Sequence, residues 1–291
     1  MNGIIAVDKP QGWTSHDVVA KLRGIFHEKR IGHSGTLDPL ATGVLMVFLG
    51  RATRAVELCE NDEKEYLTTL CLGLVTNTQD ITGEIQEEYP VSVPEERLRA
   101  VLADFTGPQQ QVPPMYSAVK IGGKKLYELA RKGQSVERKP RDITIHELEL
   151  QSFDGAEALL RVRCSKGTYV RTLCHDIGAR LGCGGCMSSL RRTRAGRFSL
   201  EDCVTMETIQ EEREKEAHNA LLRPVDSLFL DLPVLTLDKK WTIRCKNGGD
   251  IPMPGQGQGR YRVYGPAGEF LMLGSVQDGT LKTVKSFFEV S

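Results

Sequence analysis

The run Gly32-His33-Ser34-Gly35-Thr36-Leu37-Asp38-Pro39-Leu40-Ala41-Thr42-Gly43 sets one carboxylate in a glycine-punctuated loop, just ahead of the apolar stretch Val44 to Leu49. Proline after Asp38 disfavours helical backbone there and holds the aspartate extended, while Gly35 and Gly43 permit shapes that other residues resist. A carboxylate fixed in this way can act as a nucleophile or as a general base. The ordinary alternative is a turn or cap aspartate. Other groups able to join such chemistry are His33, Tyr66, and the pair Tyr169 and Arg171 in Ser165-Lys166-Gly167-Thr168-Tyr169-Val170-Arg171-Thr172. On a regular helix residues two apart point roughly 200° apart. Tyr169 and Arg171 therefore address one pocket only at a helix entrance, where Gly167 loosens the backbone.

The chain has no GxxxxGK[ST], HExxH or GxSxG motif and no cluster with metal-ligand spacing. Cys183-Gly184-Gly185-Cys186 lacks a second CxxC or a spaced His pair, so it supports neither a zinc site nor a thioredoxin motif. The reading is of a reaction run on side chains, with no metal and no cofactor. Gly255-Gln256-Gly257-Gln258-Gly259 lacks the strand–turn–helix setting of a dinucleotide fingerprint and reads as a loop.

Of 291 residues, 40% are hydrophobic, and 38 basic residues balance 38 acidic ones. The chain reads as globular, with length enough for one large domain plus a small one and no apolar run long enough to cross a membrane. Eight cysteines without a secretory signal read as reduced thiols, and a cytoplasmic location is expected. Charge is unevenly spread. Between Lys120 and Arg141 eight Lys or Arg face only Glu128 and Glu137, and between Arg161 and Arg197 nine face only Asp176. One face toward phosphates and another toward solvent would produce this segregation.

The elements that must hold these groups are legible. Gly3 to Val7 reads as a strand, and Thr14-x-x-Asp17 as a capping box opening a helix through Val18, Val19, Leu22, Ile25 and Phe26. Val44 to Leu49 and Glu65 to Leu74 read as strands, Thr76 to Gly83 as a polar turn, and Pro94 as the start of a helix. Gly107 to Arg141, with Pro113-Pro114 and Gly122-Gly123, reads as an excursion from the core. Strands over Ile143 to Leu150 and Ala158 to Cys164 join across Asp154-Gly155. A helix follows over Thr168 to Leu181, with Tyr169, Leu173 and Ile177 on one face. A charged helix spans Glu207 to Ala220, Pro224 to Pro233 reads as a linker, and Leu235 to Ser291 as a small β-barrel.

Six ordered blocks, Lys9-Pro10-x-Gly12-x-x-Ser15, Gly32 to Gly43, Lys64-x-Tyr66, Pro114-Met115-Tyr116-Ser117-Ala118, Gly167-Thr168-Tyr169-x-Arg171 and Leu190-Arg191-Arg192, resemble the TruB-type tRNA pseudouridine synthases. The resemblance covers about 190 residues and is most specific around Asp38. It implies isomerisation of the T-arm uridine numbered 55: the uracil N1 to ribose C1′ bond breaks, the base turns, and C5 takes the place of N1. It also implies an α+β fold on a largely antiparallel sheet. The catalytic domain would span 1–230, with a thumb-like insertion at 107–141, and a small β-rich PUA-type domain would span 231–291.

By the same resemblance Asp38 is the essential carboxylate, acting as nucleophile or as base. Tyr66 packs on the target uracil, Arg171 pairs with Asp38, His33 enters the space the flipped nucleotide leaves, and Tyr169 and Leu190 are pocket walls. Lys9 and Pro10 brace the loops. Lys124, Lys125, Arg131 and Lys132, with Arg191 and Arg192, are candidate phosphate contacts, which would set affinity and register rather than base identity. The expected partner is the tRNA T stem–loop, bound by a monomer without guide RNA. A dyskerin-like relative working inside a guide-RNA particle is the alternative enzyme. The thumb-like insertion and the lack of a lysine-rich tail favour the stand-alone form. A tRNA-folding module is the alternative of another class.

Overall fold

A computed structural model describes residues 1–59 and 62–288. Strand β1 (Gly3–Lys9) leads to helix α1 (Ser15–Phe26), then to β2 (Ile31–Ser34) and β3 (Thr42–Leu49). The capping box is formed as read: Thr14 Oγ1 accepts from Asp17 N–H and the Asp17 carboxylate accepts from Thr14 N–H. After the short helix α2 (Val56–Cys59) come β4 (Lys64–Leu72), the hairpin β5 (Leu74–Thr76) with β6 (Ile85–Glu88), and α3 (Glu95–Asp104) capped by Pro94.

Strand β7 (Gly107–Gln111) then precedes an excursion holding β8 (Lys120–Ile121), β9 (Lys124–Lys125) and α4 (Leu126–Ala130). The chain returns along β10 (Arg141–Phe153) and β11 (Glu157–Cys164), then enters α5 (Val170–Leu181), β12 (Gly185–Ala195) and β13 (Phe198–Ser199). The main sheet runs β1-β3-β12-β4-β11-β10-β7, antiparallel except where β12 meets β3. The excursion is thus narrower than the sequence implied. Gly107 to Gln111 pairs with β10 as the sheet's edge strand, so these five residues belong to the core sheet.

The run Val44 to Leu49 is apolar at every position because β3 is covered on both faces. Leu45, Val47 and Leu49 join α1 and α5 in one cluster. Val44, Met46 and Phe48 join a second cluster that includes Leu273 and Phe287 from the C-terminal segment. Strands buried on both sides read as continuous hydrophobic runs rather than as alternation.

Helix α6 (Met206–Glu214) ends earlier than the charge pattern implied and is followed by 3-10 turns. The stretch after Pro224 is not a linker. Val225–Phe229 forms a 3-10 turn that packs Val225, Leu228 and Phe229 into the second cluster. Proline composition hid a segment whose apolar side chains are core.

The C-terminal residues form β14 (Val234–Thr236), α7 (Lys239–Lys246), β15 (Ile251–Pro252), β16 (Gly259–Tyr264), β17 (Phe270–Gln277) and β18 (Thr280–Ser286). They make a five-stranded sheet ordered β14-β16-β17-β18-β15. The two sheets are tied by the shared cluster, by Tyr264 Oη donating to Asp226 at 2.5 Å and by Arg54 donating to Ser286 at 2.8 Å. Among the described residues no helix is long and apolar enough to cross a membrane.

Candidate active site

The Asp38 loop is held from three sides. Ser15 Oγ accepts from Leu37 N–H at 2.9 Å and donates to Leu37 O at 3.1 Å, and Gly12 N–H donates to Pro39 O at 2.8 Å. Beneath the loop, Arg192 Nη2 donates to Gly35 O at 3.0 Å and Nε to Val44 O at 2.6 Å. Gly43 has φ of 98°, and a Cβ there would lie 2.2 Å from Arg192 O. Only glycine lets β3 pass β12 so closely at the foot of the loop.

Arg192 is therefore no phosphate contact. It is 1% exposed, its guanidinium spent on the loop that carries Asp38. Two consecutive arginines on a strand point to opposite faces, so a sequence block that treats them alike misplaces one. Arg191 takes the other face, where it forms a two-bond pair with Asp8 at 2.7 and 3.2 Å.

Helix α5 supplies the cation. Tyr169 is the N-cap, in extended backbone at φ −100° and ψ 106°, and Arg171 sits in the first turn. The two residues thus leave the helix entrance as the geometry required. The helix is two residues shorter at its start than the pattern implied, so Tyr169 does not share the buried face of Leu173 and Ile177. Gly178 and Gly185 let α5 lie on β12: a Cβ on Gly178 would come 2.3 Å from Gly185 N. The Cys183–Cys186 segment makes this turn. All eight cysteine thiols are free, and burial pushes that of Cys186 up to about 12, an inert state.

Arg171 is 5% exposed and fully engaged. Nη2 lies 3.0 Å from Asp38 Oδ2 and donates to Tyr116 O at 2.8 Å, while Nη1 lies 3.3 Å from Asp80 Oδ2 and donates to Thr78 O at 3.1 Å. Asp80, in the turn read only as polar, is the residue the sequence reading missed. Its other oxygen accepts from Thr78 Oγ1, Thr82 Oγ1 and Thr82 N–H at 2.9, 2.6 and 3.1 Å. The spacing Thr78-x-Asp80-x-Thr82 was the available signal, since hydroxyls two residues to either side satisfy one carboxylate oxygen and leave the other to aim.

Asp38 keeps 40% of its side-chain surface open. Burial raises its carboxyl above the usual carboxylate range; Arg171 pulls the other way, Asp80 adds to the rise, and Lys9 opposes it. Lys9 is fully buried, donates to Pro10 O at 2.9 Å and Trp13 O at 2.5 Å, and is lowered by burial to about 8. It braces the turn that holds Pro39.

Tyr66 on β4 is 8% exposed and shares an apolar cluster with Leu37, Val170 and Leu190. Burial, above all, raises its hydroxyl's pKa; the Arg192 charge pulls the other way, and the Asp38 charge adds to the rise. His33 on β2 is half-buried with Nδ1 unpartnered. Burial first, then Arg192 and His16, lower its pKa, so it is held neutral. Asp38 thus pairs with Arg171 and lies within electrostatic reach of the Tyr66 hydroxyl, while Leu190 belongs to the same apolar cluster as Tyr66.

Lys124, Lys125, Arg131 and Lys132 lie on the excursion, at and just beyond β9 and α4. Lys125 and Arg131 both sit over the Tyr127 ring, 5.3 and 5.4 Å from its centroid. Lys124, Arg131 and Lys132 are exposed.

A model of the TruB family pseudouridylate synthase N-terminal domain matches residues 23–170, and one of the tRNA pseudouridylate synthase B C-terminal domain matches residues 171–230. The boundary between them falls inside α5, so the Asp38–Arg171 pair is built across it. A protein of Syntrophomonas wolfei named tRNA pseudouridine synthase B is 45% identical over 98% of this chain and 96% of its own length. One of the same name from Stutzerimonas stutzeri is 44% identical over 97% and 94%. Among solved structures, a Cbf5-Nop10-Gar1 complex contains a chain that is 28% identical, with a TM-score of 0.75, covering 99% of this chain and 85% of that one. A chain in an H/ACA RNP bound to a substrate RNA containing 2'-deoxyuridine is 26% identical, with a TM-score of 0.74. The chain belongs to the TruB family of pseudouridine synthases.

Proposed function

We propose that this chain converts the T-arm uridine 55 of tRNA to pseudouridine, with Asp38 carrying the reaction. The observation that carries this reading is the 3.0 Å pairing of a partly open carboxylate with a buried arginine. The isomerisation breaks the N1–C1′ bond, forms C5–C1′, releases the C5 hydrogen to water and leaves a hydrogen on N1. It is redox-neutral and calls for no cofactor. Whether Asp38 attacks C1′ or removes a ribose proton, it acts ionised, and Arg171 favours that form against burial.

A uracil stacked within a folded T loop is out of reach, so it is flipped out at an unstacking cost of a few kcal/mol. Tyr66 and Leu190 then flank the extruded base, Tyr169 closes the pocket, and the neutral His33 fills the vacated stack. Uridine labelled with tritium at C5 is the direct test: the purified chain alone should release tritium from tRNA transcript and from a T-arm stem–loop. Release only with added guide RNA and partner proteins would favour the Cbf5-like reading. Binding without release would leave a tRNA-folding module.

The 112–140 excursion is the thumb that closes on the T stem–loop, and the C-terminal sheet is the PUA-type domain. Neutralising Lys124, Lys125, Arg131 and Lys132 together should weaken tRNA binding. The slope of log affinity against log salt should fall by roughly 0.7 to 0.9 for each phosphate that is no longer neutralised. An unchanged slope would show that these side chains do not touch phosphate.

A further inference from the structure

Gln111 closes β7, where its register partner is Arg141, the first residue of β10, so both roots of the thumb meet at this one pair. Its side chain is 5% exposed and makes both halves of a peptide pairing with α5. Tyr169 N–H donates to Gln111 Oε1 at 2.7 Å, and Gln111 Nε2 donates to Tyr169 O at 3.0 Å. That same carbonyl accepts the first helical bond of α5, from Leu173 N–H at 3.0 Å. No side chain of the helix's own N-cap serves its first turn. The start of α5 is therefore held from outside, by the thumb root.

Five residues beyond Gln111 the same segment touches α5 again. Tyr116 O accepts from Arg171 Nη2, the nitrogen that pairs with Asp38. Pro113 and Pro114 lie between these two points and fix their own φ angles. Residues 111–116 thus form a short stiff strut that grips α5 by its backbone at Tyr169 and by its guanidinium at Arg171.

We propose that Gln111 is a positioning residue for the isomerisation: it seats the entrance of α5 on the root of the thumb, so that RNA engaging the thumb also sets the aim of Arg171 at Asp38. This rests on the functional reading above, whose own failure would show as no tritium release by the unaltered chain. Gln111→Met is close in volume and cannot pair with the Tyr169 peptide. At saturating tRNA its single-turnover tritium release should fall roughly 10- to 100-fold, the range expected when a reacting group is misaimed by about 1 Å. Binding of tRNA should hold. The acid limb of its pH–rate profile should move up, in the direction given by Arg171→Lys, and the double variant should be no slower than Arg171→Lys alone.

A cap that only stabilised the helix would lower the melting temperature and leave the acid limb in place. Wild-type kinetics in Gln111→Met would overturn the proposal. So would a rate loss that multiplies with that of Arg171→Lys while the acid limb stays put. Should Gln111→Met fail to fold, Pro114→Ala keeps both hydrogen bonds and loosens the strut, and the same loss with the same shift is expected of it.

Discussion

Asp38→Asn is expected to stop tritium release from tRNA by at least about 10⁴-fold, the scale seen when a covalent or proton-transfer group is removed from a catalytic set. Its tRNA affinity should stay close to wild type, and its melting temperature should match or exceed it at neutral pH. The stability part follows from the sign of the shift. Burial raises the Asp38 carboxyl above its unfolded value, so the ionised form costs more in the folded protein than in the unfolded chain. That cost is fully present above the folded pKa and is relieved as pH falls through it toward the unfolded value. A neutral isostere avoids it, while Arg171 keeps Asp80, Thr78 O and Tyr116 O. The stability gap between variant and wild type should therefore be widest near neutrality and close on acidification. Normal turnover by Asp38→Asn would remove Asp38 from the chemistry. A lower melting temperature that persists at neutral pH would mean that Arg171 depends on this carboxylate more than on its other partners.

How far such a site can be read from sequence depends on the range of the interactions that build it. The Asp38 loop was legible because glycine, proline and a following apolar strand are local signals. The α1 capping box was legible for the same reason, both partners lying within one turn. Helical periodicity located α5 but not its first residue. The Tyr169 backbone is held extended by Gln111, 58 positions away, and nothing near residue 169 records that. Asp80 meets Arg171 across 91 residues, and Arg192 reaches Gly35 across 157. These pairings are set by strand order, which brings β12 beside both β3 and β4. Family resemblance supplied Arg171 as a partner for Asp38 without any of this. It treated Arg191 and Arg192 as equals, however, because strand alternation decides which of the two is buried. The linker reading of Pro224 to Pro233 failed for a related reason: prolines punctuate, but the apolar residues among them decide burial once a second sheet lies against them.

Asp80→Asn and Arg171→Lys separate the two ways in which the network around Arg171 can serve Asp38. With Asp38 in the proposed role, Asp80 as a charge would work against catalysis, since it adds to the rise in the Asp38 carboxyl. As a geometric anchor it would work for catalysis, since it holds Nη1 so that Nη2 faces Asp38 at 3.0 Å. Asp80→Asn removes the repulsion, so the acid limb of the pH–rate profile should hold or move down. The pH-independent rate should nevertheless fall, by roughly 10- to 100-fold, because the amide presents either a competing donor or a weaker acceptor to the guanidinium. Arg171→Lys retains a positive charge but has no planar fork to meet two carboxylates and two carbonyls at once. Its rate should fall further, and its acid limb should move up, because an ammonium placed farther from Asp38 opposes burial less. Opposite shifts of the acid limb, with both rates reduced, are what a positioning network produces. An Asp80→Asn enzyme whose limb moves down with its rate intact would show that the carboxylate acts through its charge alone, and the aim of Arg171 would then have to be fixed by the carbonyls of Thr78 and Tyr116.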